Sequence, residues 1–533
     1  MTERDPELLG EEGSGTLLDE VESLDDRIAS RAHTLHGLRH LGIALAVLSA
    51  LAFIPYASAD LRRWQPWVSG EGVPIARMFM GEESETTVAP SVATGGAIAS
   101  ASTSDIADSL GDAVAANLAE DDRAPTPEPP SEDGATAGAA VRIEPSELEG
   151  LVREIEDPGG RAMRPFYDAL LRTAQHEDQA ITRVAHYGDS SIAGDGITVT
   201  LRRRLQRRFG DAGHGFVLIA RGTMPYRHQD LRHSAEGPWN LSQLVRAGRR
   251  DHLYGYGGVL YRGVVGTSAR FGTDDRGPVG GAVSRFELWY QQHPRGGRVD
   301  LRVDRGERVV VNTRGESSQD AWHTVEVPDG AHQLDLRTIG GGEARLYGMV
   351  LEREGPGVVY DSLGMVGARA RRMLGMDPAH FRSQHAHRET NLIVIHFGGN
   401  DADDVRRTPE QFEEDFRRVI RMARTARPEA GCLLMAPLDQ AVRSDRGSIR
   451  TMEQVPVIVA AQRRAATAEQ CAFFDTYEAM GGEGAMRRWW RSTPRLAFGD
   501  FRHATPAGYR VIGGMVYRAL LKGFSDYLRA RED

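Results

Sequence analysis

The chain is nearly without cysteine and lysine: its 533 residues include two of the first and, of the second, only Lys522. Two cysteines cannot build a disulfide scaffold, and no CxxC or Cys/His cluster has zinc-site spacing, so neither a metal-centred fold nor a metal cofactor is expected. Proline is sparse at 25 residues, while 40% of the chain is hydrophobic and 26% charged. That balance excludes wholesale disorder and collagen-like repeats and leaves enough apolar surface for a large core. Basic charge falls almost wholly to arginine, with no nucleic-acid recognition motif beside it, so nucleic acid is not expected as a partner. The formal charge of -10 is unevenly spread. Residues 1–26 carry ten acidic residues against Arg4, and residues 82–140 carry twelve against Arg123, which leaves the remainder at +10.

The length predicts more than one folded unit. Residues 1–40 read as an acidic cytoplasmic tail. Residues 41–57, LGIALAVLSALAFIPYA, form an uncharged apolar run preceded by Arg27, Arg31 and Arg39. At ~1.5 Å per residue it spans ~25 Å as a helix, the short end of a membrane anchor, with the following chain outside the cytoplasm. Arg62 and Arg63 beyond the run weaken that orientation, and Ala57-Ser58-Ala59 offers the alternative of a cleaved signal h-region. The expected location is therefore the inner membrane, with the catalytic domain in the periplasm or outside the cell, or secretion if residues 1–59 are removed. Residues 58–140, rich in Ala, Ser, Thr, Gly, Pro and acid, predict a disordered extracytoplasmic linker.

Beyond it, short apolar strands alternate with amphipathic helices: TRVAHYGDS, GVVYDSLG, NLIVIHFG, GCLLMAP and CAFFDTY. Such alternation predicts an α/β fold with a doubly wound parallel sheet. Thr408, Pro409 and Gln411 form a capping box ahead of a helix whose buried stripe is Phe412, Phe416 and Ile420. Residues 236–352 break the pattern, with strand-like runs such as RVDLRVD separated by Gly, Pro and Asp turns, and predict an inserted antiparallel β-sandwich. It divides the catalytic domain into residues 145–235 and 353–533.

Three motifs carry chemistry. Gly188-Asp189-Ser190 ends the first predicted strand and precedes a helix with Ile197, Leu201, Leu205 and Phe209 on one face. A serine there stands at the carboxyl edge of the sheet, where open α/β folds bind ligands. His396-Phe397-Gly398-Gly399-Asn400-Asp401 follows another strand, and an Asn side chain there can donate to an oxyanion. In Asp500-Phe501-Arg502-His503 the carboxylate can fold back onto imidazole Nδ1 and leave Nε2 free as a base. Taken alone, each motif is also ordinary turn or capping chemistry.

Together, in this order, they resemble the SGNH, or GDSL-like, hydrolase superfamily. The glycine block of that family corresponds to Gly364-Met365-Val366-Gly367-Ala368. HYGDSSIAGD, GDAGHGFVLIARG, GPWN, YDSLGMVGA, HFGGND, YEAMGG and DFRHATPAGYR are most similar to bacterial peptidoglycan O-acetylesterases with an inserted carbohydrate-binding-like β module. The resemblance covers about residues 160 to 530. Ser191 after Ser190, where strict GDSL sequences have Leu, places the chain among looser members.

The resemblance implies a serine esterase that removes O-acetyl groups from a cell-envelope glycan without a cofactor. Ser190 is the implied nucleophile, His503 the base and Asp500 its orienting partner. The Ser190 and Gly367 amides with the Asn400 side chain would hold the oxyanion, while Gly188, Asp189 and Asp401 support the loops. His186 and His396 read as core or rim histidines. An O-acetyltransferase with the same triad and a non-catalytic glycan-binding scaffold are the alternatives, and the complete Ser, Asn, Asp and His set argues against the scaffold. Trp239, Trp289 and Trp322 of the insertion are glycan-stacking candidates, with Trp289 favoured as a core residue by its alternating run. Cys432 and Cys471 begin neighbouring predicted strands and could approach disulfide range, but two buried free thiols are the favoured reading.

Overall fold

Why the catalytic motifs converge follows from one parallel sheet of five strands, in the spatial order Gly357–Gly364, Ile181–Gly188, Leu392–His396, Gly431–Met435, Ala472–Phe474. The computed structural model describes residues 141–532 except 223–225 and 247. The sequence-predicted acidic tail, apolar run 41–57 and linker lie outside the described residues. Among the described residues no helix is long and apolar enough to cross a membrane.

Numbered along the chain, the sheet order is 2-1-3-4-5, so the chain steps to opposite sides of the first strand on its next two visits. Such a reversal opens a crevice at the carboxyl ends of strands one and three, where open α/β sheets take ligands. Both faces of the sheet are covered, which explains the continuous apolar runs of its strands. Tyr187, Ile393, Ile395 and Leu434 join a cluster with Phe412, Phe416 and Ile458 from helices Pro409–Ala426 and Gln454–Ala468. Val184, Val394 and Leu433 point the other way, onto Phe166, Leu201, Leu205 and Ile512 of the helices Arg164–Ala174, Gly196–Phe209 and Pro506–Glu532. The Thr408 capping box is formed, with Gln411 N–H donating to the Thr408 hydroxyl at 3.3 Å and the Thr408 amide to the Gln411 side chain at 3.1 Å.

Between the first two parallel strands lie two antiparallel sheets. One orders Gln319–Gly330, Val283–Gln292, Ala344–Glu352, Val259–Gly263 and Asn240–Gln243, with Gly213–Leu218 also paired to Ala344–Glu352. The other orders Leu231–Glu236, Ser268–Thr273, Gln333–Gly340, Arg298–Val303 and Arg308–Asn312. The β module thus begins near residue 213, not at 236. Gly213–Leu218 is buried throughout, so it lacks the alternation that marks a half-wet strand, and only its pairing reveals its sheet.

The two cysteines are joined, which corrects the expectation of free thiols. Parallel register pairs Leu433 with Ala472 and so sets Cys432 opposite Cys471, with Cα atoms 5.0 Å apart. The bridge closes a segment of 39 residues. Loop-closure entropy for that length corresponds to about 4 kcal/mol. Two outcomes follow: unreduced, denatured protein should yield no titratable thiol, and reduction should lower the unfolding midpoint. Two thiols per chain would reject the bridge.

A buried ion cluster joins the module to the catalytic sheet. Glu352, at the end of a module strand, accepts from Arg183 Nε at 3.0 Å, from Arg285 at 2.6 Å and from Arg388. Arg388 also donates to Asp361 at 2.8 and 3.0 Å, and Tyr256 O–H reaches the same carboxylate at 3.0 Å. Burial alone would raise the Glu352 pKa, but the arginines hold it well below the usual carboxylate range. Its contribution to stability is therefore present above the unfolded pKa of about 4.3 and is lost as pH falls toward the folded value. Glu352→Gln should cost about 3–5 kcal/mol at neutral pH, because it leaves buried guanidinium groups uncompensated. Urea unfolding measures this, and the gap to wild type should narrow below about pH 4.

Candidate active site

Ser190 follows the first parallel strand directly. Asp189 caps the short helix Ser190–Ala193, accepting from the Ser191 amide and hydroxyl at 2.9 Å each. The turn is tight: a Cβ on Gly188 would stand 2.3 Å from Ile192 Cγ1. This local order raises the serine over the carboxyl end of the sheet.

His503 arrives from the segment ahead of the last helix. Its Nε2 lies 2.9 Å from Ser190 Oγ, and its Nδ1 lies 2.7 Å from Asp500 Oδ2. Asp500 Oδ1 accepts from the amides of Arg502 at 3.0 Å and His503 at 3.2 Å. The turn that allows this needs Phe501 at a left-handed φ of 57°, unusual for an aromatic residue, and its ring is buried as an anchor. Partial burial would push the Asp500 carboxyl up, but the His503 side chain and the two amides pull it down to about 2. His503 is raised above 6.5, chiefly by its bond to Asp500, against the opposing effect of burial.

Asn400 follows the third strand after a glycine pair in which Gly398 has a φ of 131°, closed to other residues. Its Nδ2 donates to the Ala368 carbonyl at 3.1 Å and, more loosely, to Asp189 Oδ2 at 3.3 Å. Asp401 is buried, accepts from the Ala370 amide at 3.2 Å, and is pushed up to about 7 by burial. It ties the turn after Gly357–Gly364 to the turn carrying Asn400. Burial also raises Asp189. The contacts of both acids are loop contacts.

Ser190, Asn400 and His503 share a cavity of about 70 Å³ with Pro437, Leu438 and Gln440. Sequence reasoning missed these last three, though they follow the fourth strand at the same sheet edge. It also missed Arg502, which pins the histidine loop to Asp403 at 2.7 and 3.0 Å. Gly367 does not line the cavity: it is exposed on the adjoining turn with a φ of 75°, one residue before the Ala368 carbonyl that Asn400 contacts. His186 and His396 are buried on strands, with His186 Nδ1 2.9 Å from Tyr360 O–H. Burial holds both pKa values down, His396 at about 4, so both rings are neutral. Among the described residues no cluster of His, Cys, Asp or Glu is arranged to hold a metal.

The three tryptophans fare differently. Trp289 is fully buried and donates to Glu287 at 2.6 Å, so it meets no ligand. Trp322 has one face stacked on His387, with ring centres 3.9 Å apart. Trp239 is half-buried beside Leu241 and His233 in an open cleft of about 520 Å³.

Residues 328–511 match the GDSL-like Lipase/Acylhydrolase family, a stretch that includes Asn400, Asp500 and His503 and leaves Ser190 outside. This stretch is similar to the GDSL-like, or SGNH, hydrolases. A solved peptidoglycan O-acetylesterase shares its fold, at 23% identity and a TM-score of 0.57 over 69% of this chain and 96% of that one. A family two carbohydrate esterase from Cellvibrio japonicus matches at 12% identity, covering 46% and 88%, with a TM-score of 0.19. No curated protein sequence matches the chain.

Proposed function

We propose that this protein is an esterase that removes O-acetyl groups from a cell-envelope glycan, peptidoglycan foremost, outside the cytoplasm, with Ser190 as nucleophile. The observation that carries the reading is the aligned series Ser190 Oγ, His503 and Asp500 at the mouth of a small cavity. Ser190 Oγ attacks the ester carbonyl as His503 Nε2 takes its proton, and Asp500 stabilises the imidazolium. The Ser190 amide and Asn400 Nδ2, released from its longer bond to Asp189, hold the oxyanion. Collapse breaks the ester C–O bond, and the sugar oxygen leaves with the proton from His503. Water then repeats the sequence on the acyl-serine and releases acetate. The Gly367 amide, one residue before the Ala368 carbonyl that Asn400 contacts, is proposed as a further oxyanion donor.

The cavity of about 70 Å³ beside Ser190 has room for an acetyl group. The shared fold of the solved peptidoglycan O-acetylesterase supports the glycan. Export is supported by the disulfide, since such bonds persist in oxidising compartments. The apolar run 41–57 as a membrane anchor and residues 58–140 as a tether complete the proposal. Acetate release from O-acetylated peptidoglycan, absent with Ser190→Ala, is the test. Release from small esters alone rejects the glycan, and donor-dependent acetyl gain on the glycan would favour the transferase.

A further inference from the structure

The two segments that hold the His503 loop each carry an arginine that no mechanism above uses. Arg443 lies on a short hairpin, Ala441–Arg443 paired with Ile449–Thr451, whose Ala441 amide donates to the Phe501 carbonyl at 2.9 Å. The Arg495 carbonyl accepts from the Thr505 hydroxyl at 2.7 Å. The hairpin that carries Arg443 is thus tied to the chain two residues before His503, and Arg495 to the chain two residues after it. Their side chains converge on Trp490. The Arg443 guanidinium stands 5.2 Å over Phe501 and 5.7 Å over Trp490, and Arg495 stands 5.7 Å over Trp490. Trp490 itself packs edge-on to Phe501, with ring centres 5.3 Å apart.

Both arginines are exposed, and among the described residues no carboxylate pairs with either. This sets them apart from Arg183, Arg388 and Arg502, whose guanidinium groups are committed to Glu352, Asp361 and Asp403. A guanidinium resting on an aromatic face loses much of its rotational freedom while its N–H edge stays open to a carboxylate. The local field favours an anion as well: residues 481–503 carry five arginines against Glu483 and Asp500, and Asp500 is engaged by His503.

We propose that Arg443 and Arg495, held by Trp490 and Phe501, form an anion subsite beside His503 that binds a carboxylate of the glycan chain next to the acetylated sugar. The inference rests on the glycan-esterase reading for its ligand and on the arginine geometry for its site. The subsite positions polymer and takes no part in the bond-breaking steps.

The test uses soluble peptidoglycan strands stripped of O-acetyl groups, with their stem-peptide carboxylates either free or amidated. Wild-type protein should bind the free-carboxylate strands about tenfold more tightly than the amidated ones, the scale of one or two charge-assisted bonds, and should lose that preference in high salt. The Arg443→Gln, Arg495→Gln double variant should bind both alike and hydrolyse a small neutral acetyl ester at the wild-type rate. Trp490→Ala should weaken the preference and Trp490→Phe should retain it. A preference that survives in the double variant, or no preference in wild type, overturns the subsite. So does equally tight binding of a short DNA duplex, which would mark a general polyanion surface. If carboxylate-dependent binding persists but no acetate is released from acetylated strands, the O-acetyl glycan reading fails and the subsite stands.

Discussion

Ser190→Ala and His503→Ala should each lower kcat/KM for a small acetyl ester by about 10,000-fold or more, with unfolding midpoints close to wild type. The chemistry supports the size of the loss. In the proposed mechanism Ser190 Oγ forms the acyl bond, and His503 Nε2, 2.9 Å away, serves as its base. The geometry supports the intact fold: the His503 side chain is 41% exposed and Ser190 is half-buried, so neither truncation opens a core cavity. The two groups act as one unit, so the double variant should be little worse than either single one. Steady-state rates and thermal unfolding on the same preparations check both parts. Either variant working within about tenfold of wild type would mean that another group supplies the nucleophile or base.

Much of this site can be read locally. Asp500 and His503 are three residues apart, and a turn at Phe501 is enough to bring carboxylate to imidazole. Gly188, Asp189 and Ser190 state a strand end, a cap and a helix start in three letters. The five parallel strands declare themselves by unbroken apolar runs between helices with 3.6-residue stripes, since a sheet covered on both faces needs no alternation. Once the order of the motifs is known, the carboxyl edge of the sheet collects them.

What depends on pairing between distant segments is not written locally. Gly213–Leu218 looks like any buried strand, and only Ala344–Glu352 assigns it to the β module. The bridge between Cys432 and Cys471 depends on the register of two strands separated by a helix. A tryptophan in an alternating strand can face core or solvent, and whether its plane is free depends on a neighbour such as His387 from another part of the fold. The arginines around Trp490 are hidden by the arginine-rich composition itself, because only the structure separates paired guanidinium groups from unpaired ones.

Asp500→Asn should lower kcat by about 1,000- to 10,000-fold and move the acid limb of the pH–rate profile downward. The proposed mechanism requires neutral His503, whose pKa is raised above 6.5 mainly by its bond to Asp500. Wild-type kcat/KM should therefore fall as pH drops through a midpoint above 6.5, where imidazolium replaces the free base. Asp500, held at about 2, stays ionised through that range and does not itself set the limb. An amide in its place carries no charge to favour the imidazolium, so His503 should titrate lower and remain a free base to more acid pH. The remaining activity should nevertheless be small. An Asn side chain that donates to Nδ1 drives the ring proton to Nε2, the nitrogen that must accept the Ser190 proton. Profiles on a small acetyl ester from about pH 4 to pH 9 separate the two effects, the rate loss at the plateau and the displacement of the limb. A wild-type midpoint below 6.5, or a limb that Asp500→Asn leaves in place, would assign the titration to another group and remove His503 as the base.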